Sequence, residues 1–341
     1  MSVCLFLQIY DYVAIMQKKK FFLCIFALTM GARSNIIPHI TAFLVVCVWG
    51  STFVFTKLLL QSGLSPAHVF TLRFVIAYVL LVVVTLLTGR GRRLFCNTLR
   101  HELLMVGLGI TGGSLYFLTE NQALIYTTTT NTSLIVCSCP IVAALLIGLF
   151  YRSERMSGIQ IAGSLMAVMG VAVVVLNGHF VLHLSPLGDG LALCANLCWA
   201  VYSLLIIPAN RHYDAVFITR KVFFYGMLTI IPYYIIHPEL PDIAILLQPG
   251  VICNLLFLGA VASMSCFLLW TWVMDRLGAM VATNYVYMNP ITTVVFAWWI
   301  LSEPVTPFFV LGSLLILGGM YLADRRHSAT AHAGEAKESV R

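Results

Sequence analysis

The chain has 341 residues, 60% of them apolar and 10% charged, with 20 Lys and Arg against 13 Asp and Glu. That balance, with a mean hydropathy of +0.94, excludes a soluble domain of this length and describes an integral membrane protein. The formal charge of +7 implies no nucleic-acid partner, because the basic residues are scattered over separate short stretches instead of sharing one face.

Residues 1–35 come first and read as an extension. Lys18-Lys19-Lys20 precede an apolar run from Phe21 to Met30, too short to span a bilayer. Three readings compete: a cleaved signal, an interfacial lead-in, or an upstream start with Met16 or Met30 as the true first residue. The last is preferred, since Met30-Gly31-Ala32-Arg33 already makes a sufficient beginning for an inner-membrane protein.

Ten apolar stretches follow, each near the roughly 20 residues that cross the hydrocarbon core. They fall at roughly 37–60, 67–88, 103–124, 129–151, 157–177, 188–208, 216–237, 248–274, 278–301 and 306–323. None alternates as a barrel strand does, and lipid offers no partner to unpaired backbone groups, so the expected fold is all-α with ten transmembrane helices. After them, Ser328 to Arg341 mixes Ala, His, Glu and Lys without apolar periodicity, so residues 326–341 are expected to form a disordered cytoplasmic tail.

The stretches form two sets of five, 36–177 and 178–325, because the chain is written twice. Cys139-Pro140-Ile141 recurs as Asn289-Pro290-Ile291, Gly163-Ser164-Leu165 as Gly312-Ser313-Leu314, and Ser153-Glu154 as Ser302-Glu303. Val69-Phe70 with Arg73 recurs as Val216-Phe217 with Arg220, and Trp49 recurs as Trp199. Basic residues sort onto alternate connections: Arg90, Arg92, Arg93 and Arg100, then Arg152 and Arg155, then Arg211, Arg276, Arg325 and Arg326. The intervening loops hold none. By the positive-inside rule both termini are cytoplasmic, and five helices per repeat turn the second copy upside down. Inverted repeats of this kind recur in secondary transporters.

An ionisable residue inside a span is costly and therefore a functional candidate. The first repeat carries Lys57, Arg73 and Glu120, and counting along helices of opposite direction places all three in the outer third. Glu120 is expected to pair with Lys57 or Arg73. It could bind a cationic group of a substrate, carry a coupling proton, or simply order the bundle. The second repeat places Trp270 at the position of Glu120, so an acid faces aromatics, an arrangement suited to an amphipathic solute.

Pro140 and Pro290 fall mid-span in matched helices, where proline breaks the backbone ladder and frees a carbonyl toward a cavity. Asn131 and Ser133 near the first, and Asn284, Tyr287 and Asn289 near the second, are candidate lining together with Trp49, Glu120, Lys57 and Trp270. Interhelical hydrogen bonding is the alternative role for these polar groups. Gly109 with Gly113, and Gly163 with Ala167, read as packing faces. Cys194 with Cys198, and His179 with His183, lack further ligands, so no metal is expected. Asp189 reads as a helix cap. Hydrolase, zinc-protease and phosphate-loop motifs are missing, so neither an enzyme nor a cofactor is expected.

Trp49-Gly50-Ser51-Thr52 with Lys57, Ala123-Leu124 before Thr127–Thr130, mid-helix Pro140 and Ser153-Glu154 resemble the pattern of EamA-type carriers of the drug/metabolite transporter superfamily. Asn289-Pro290, Ser302-Glu303-Pro304 and Gly312-Ser313-Leu314 extend that resemblance to about residues 36–325. Cys198-Trp199-Ala200 departs from it, losing the Trp-Gly pair of the first helix. The resemblance implies two five-helix repeats around a central cavity, alternating access and export of small metabolites. The expected partners are a small-molecule substrate and the lipid bilayer of the inner membrane, with the chain acting alone or as a homodimer. A channel for small polar solutes is the alternative.

Overall fold

The computed structural model describes residues 36–88, 94–126, 132, 135–151, 157–176, 185–301 and 306–338. Ten longer helical stretches lie among them, besides the single turn Ile243–Leu246, and no strand does. They are α1 (Ile36–Gln61), α2 (Pro66–Thr88), α3 (Leu99–Tyr126), α4 (Ile135–Phe150), α5 (Gly158–Leu176), α6 (Pro186–Asn210), α7 (Ala215–Ile236), α8 (Pro249–Leu277), α9 (279–301) and α10 (Pro307–Glu338). Six of these, α1, α2, α3, α6, α7 and α8, are long and apolar enough to cross a membrane; α4, α5 and α10 contribute shorter apolar helices. Residues 1–35, where the signal-like run lies, are outside the described residues.

Local chemistry sets the boundaries. α1 ends because Gly63 takes φ 101°, a left-handed turn that any side chain would strain. Gly63 N–H then reaches the Leu60 carbonyl and Leu64 N–H the Leu59 carbonyl, while Leu59 and Leu64 bury together beneath the turn. α2 starts at once, with the Ser65 hydroxyl accepting from His68 N–H and Pro66 in the first turn. Thr98, Ser185 and Asp214 cap α3, α6 and α7 in the same way. At α6 the cap itself is Ser185, and the Asp189 carboxylate returns the bond by accepting from Ser185 N–H at 3.0 Å.

Five helices are interrupted; α7 breaks at Ile230 ahead of Pro232, and the other four form matched pairs. α3 widens to a π-helical segment at Ile110–Ser114 and α8 at Phe257–Ser265. α4 breaks at Ser138 and α9 tightens to a 3₁₀ turn at Tyr285–Met288. Pro140 and Pro290 therefore sit in the first turn of the segments that follow, Cys139–Phe150 and Asn289–Leu301, where a missing N–H costs nothing. Asn196 of α6 stitches the first break, donating to the Ile135 carbonyl at 2.5 Å and the Ser138 hydroxyl at 2.9 Å.

One aromatic core joins the halves, with Phe267 packed against Trp49, Phe74, Phe117, Trp199, Tyr202 and Phe223. The opposite faces are apolar too: Val75, Val79, Val83 and Leu86 form an exposed stripe along α2. α5 and α10 run antiparallel in close contact through Gly163, Gly170, Gly312 and Gly319. α10 runs as helix to Glu338. Ala329, Ala331, Ala333, Glu335, Ala336 and Lys337 in its last turns are strong helix formers.

Candidate functional site

A cavity of about 50 Å³ lies between the two halves. α1 supplies Trp49, Thr52 and Phe53, α2 Arg73, α3 Tyr116, Phe117 and Glu120, and α4 Val136 and Cys139; α6 adds Trp199, α8 Phe267, and α9 Val286 and Asn289. That volume holds a few waters. An amino-acid-sized solute needs the aromatic wall to part.

The interruption in α8 anchors two of these side chains. Within its π-helical segment the Ala262 carbonyl accepts from the Trp49 indole N–H at 3.0 Å, and the Ser263 hydroxyl accepts from Arg73 Nε at 2.8 Å. A π-helical turn leaves backbone carbonyls out of the regular ladder, which is why such turns gather at sites. The Arg73 guanidinium also stacks 4.4 Å from the centre of the Phe117 ring. Across the cavity, Tyr116 donates its hydroxyl proton to Glu120 Oε1 at 2.8 Å, a contact between residues one helical turn apart. Trp199 Nε1 and Asn289 Oδ1 are buried and meet no hydrogen-bond partner among the described residues.

The structure brings Trp49, Arg73, Glu120 and Asn289 to one cavity. Arg73 and Glu120 share it without a direct ion pair. Lys57 does not join them: it is exposed on α1. Trp270 is fully buried behind the wall, its ring 5.0 Å from that of Trp49. Tyr287 packs instead with Cys137, Ala167, Val171 and Ile316, and Asn284 is buried in the first segment of α9; neither lines the cavity. Asn131 and Ser133 lie outside the described residues. Sequence reasoning missed Tyr116, whose spacing from Glu120 is a usable signal, and Trp199, which the repeat pairs with Trp49 and whose ring meets it edge-on at 5.4 Å.

A second polar cluster ties the halves together away from the cavity. Glu102 near the start of α3 accepts from Lys221 Nζ and Tyr225 Oη of α7 and from Cys96 N–H at 2.7 Å. Tyr213 Oη joins Asn97 N–H and His101 Nδ1, each at 2.9 Å. Burial first, and then the Glu102 carboxylate, push the Cys96 thiol up to about 11. Among the described residues no three His, Cys, Asp or Glu side chains gather to hold a metal ion.

An apolar helical bundle with two opposite charges enclosed between its halves defines a multi-pass membrane protein with an internal polar site. The chain belongs to the EamA-like transporter family, which matches it twice, over residues 36–176 and 186–323. An uncharacterized transporter of Archaeoglobus fulgidus is 26% identical over 291 residues, covering 84% of this chain and 97% of that protein. A probable amino-acid metabolite efflux pump of Escherichia coli is 25% identical, covering 83% and 93%. A probable terminal-alkyne amino-acid exporter of Streptantibioticus cattleyicolor is 25% identical, covering 83% and 92%. One solved crystal structure aligns with a TM-score of 0.67 at 19% identity, over 85% of this chain and 98% of its own, a likeness of fold alone.

Proposed function

We propose that the chain is a secondary carrier of the inner membrane that exports small amphipathic metabolites, amino acids among them, by alternating access. The observation that carries this reading is the cavity itself, enclosed by four helices of the first half and three of the second. A solute held there contacts both halves, so rocking one half against the other changes which side it sees. Glu120, Arg73, Trp49 and Asn289 contact the solute in this reading, Trp270 backs Trp49, and the breaks at Ser138 and Tyr285–Met288 supply free backbone groups. The antiparallel run of α5 against α10 supports inverted repeats, the basic collar supports cytoplasmic termini, and the names of two relatives support export of amino-acid compounds. The helix breaks on both sides of the cavity favour a carrier over a channel.

Counterflow in proteoliposomes tests this, using labelled amino acids, sugars, nucleobases and cationic drugs. Saturable accumulation of one class is expected. Flux that never saturates supports a channel instead, and no accumulation by folded protein removes the carrier reading.

A further inference from the structure

Away from the central cavity, a cleft of about 510 Å³ opens where the start of α3 meets the end of α6, lined by Arg100, His101, Leu103, Leu104, Pro208 and His212. Its size is that of a ligand site. Three of the lining side chains carry nitrogen donors and three are apolar. Tyr213 orients the first histidine: its hydroxyl accepts from Asn97 N–H and lies 2.9 Å from His101 Nδ1, to which it can give its own proton. The ring proton then stands on Nε2, a donor that meets no protein partner among the described residues. The His212 ring stacks on it, centroids 4.6 Å apart. Arg100 is exposed in the first turn of α3, the end of a helix that disfavours cations. The carboxylate of that turn, Glu102, is already engaged by Lys221, Tyr225 and Cys96 N–H, so it does not offset Arg100. Asp214, beyond His212, caps α7 through Oδ1, and Arg211 beside His212 adds a further positive charge.

We propose that this cleft binds an anionic phospholipid: Arg100, His101 and His212 hold the headgroup phosphate, and Leu103, with Leu99 beside it, receives the start of an acyl chain. Basic pockets between membrane helices select anionic headgroups in this way. The apolar part decides between a lipid and a soluble phosphate compound. Leu99 is 77% exposed and Leu103 62%, one helical turn apart on the same face of α3. A chain running along that face buries both, whereas an aqueous anion gains nothing from them. Because α3 belongs to the first half and α6 to the second, the lipid spans the seam between the halves. The site is independent of what the central cavity carries.

The test is native mass spectrometry of the full chain in detergent, incubated with equal amounts of phosphatidylglycerol and phosphatidylcholine. Retained phosphatidylglycerol is expected to exceed phosphatidylcholine by roughly tenfold, the scale set by one or two basic contacts at a headgroup. Arg100→Gln with His212→Gln is expected to bring the ratio close to one. Arg276→Gln, an exposed basic position in the last turn of α8 outside the cleft, is expected to leave it unchanged. A misfolded double variant would lose both lipids alike, and Arg100→Gln alone, at an exposed position, then reads the same ratio. Equal retention of the two lipids by the unaltered chain overturns the site. So does a preference that the double variant keeps, or one that Arg276→Gln lowers as far, which would belong to the basic residues as a whole. Displacement of phosphatidylglycerol by excess glycerol phosphate overturns the lipid in favour of a soluble phosphate ligand.

Discussion

Gly163 of α5 and Gly319 of α10 touch backbone to backbone: a methyl group on Gly163 would fall 2.7 Å from the Gly319 carbonyl oxygen, and one on Gly319 would fall 2.5 Å from that of Gly163. Gly170 meets Gly312 likewise, at 2.7 Å. The repeat carries 163 onto 312 and 170 onto 319, so each contact is the image of the other. Only antiparallel equivalents pack in this way. Gly163→Ala is therefore expected to destabilise the purified protein by about 1–3 kcal/mol, the usual cost of overpacking. Gly190→Ala in α6, where the new methyl meets nothing within 4 Å, is expected to be neutral or mildly stabilising. Thermal unfolding in detergent compares them, and an equal loss for both variants would contradict the close seam.

Gly50 of α1 makes a similar approach to α9, beside the cavity. A methyl group there would sit 1.7 Å from Thr292 Oγ1 and 3.1 Å from the Asn289 carbonyl. Gly50→Ala is expected to abolish transport, because it pushes Trp49 and Asn289 apart. Gly50→Ala with Thr292→Gly moves the missing volume to the other helix and is expected to restore part of the activity. A double variant as inactive as the single one would show that Gly50 serves something besides this contact.

Glu102 and Lys221 hold α3 to α7, with side chains 16% and 5% exposed. Removing either partner strands a poorly solvated charge, so Glu102→Gln and Lys221→Met are each expected to cost about 1–3 kcal/mol. The double variant removes both charges and is expected to lose less than the sum. Strict additivity in thermal unfolding would mean that the contact contributes nothing to stability.

Cys96 reports on the same cluster. With its thiol pushed up to about 11, little thiolate exists at pH 8, and alkylation is expected to be slow and to rise steadily with pH. Glu102→Gln removes the negative charge that raises the thiol and leaves Lys221, which lowers it. The alkylation profile is then expected to move to lower pH. Mass spectrometry of the Cys96 peptide after timed N-ethylmaleimide exposure reads this, and an unmoved profile would separate Cys96 from Glu102.

Axial position was far more legible in this chain than rotation about the axis. Each apolar stretch coincides with a helical stretch among the described residues, because spacing between charged and glycine-containing turns marks where helices begin and stop. Counting from those ends put Arg73 and Glu120 at one level, and the structure places them in one cavity. The same counting grouped Lys57 with them, yet Lys57 is exposed. Soluble helices announce their buried face by an apolar stripe. α1 is apolar all round, so nothing in Ile36–Gln61 says which side Lys57 takes. The π-helical segments were hidden for a related reason: Ile110–Ser114 and Phe257–Ser265 contain ordinary helix residues and small ones, and the role of the second shows only in the structure, where Trp49 and Arg73 dock on it. The α4 and α9 breaks carried a signal because proline marks them.

Matched seams such as Gly163 with Gly319 would fit two separate, identical copies as well as one joined chain. Two identical copies, however, must present every side chain in duplicate, and their centre could never hold one acid opposite one base without a second of each beside them. Joining the copies removed that obligation. Arg73 kept its counterpart, Arg220, but Glu120 is answered by Trp270. The scaffold still reads the same from either end, while its contents have acquired a head and a tail.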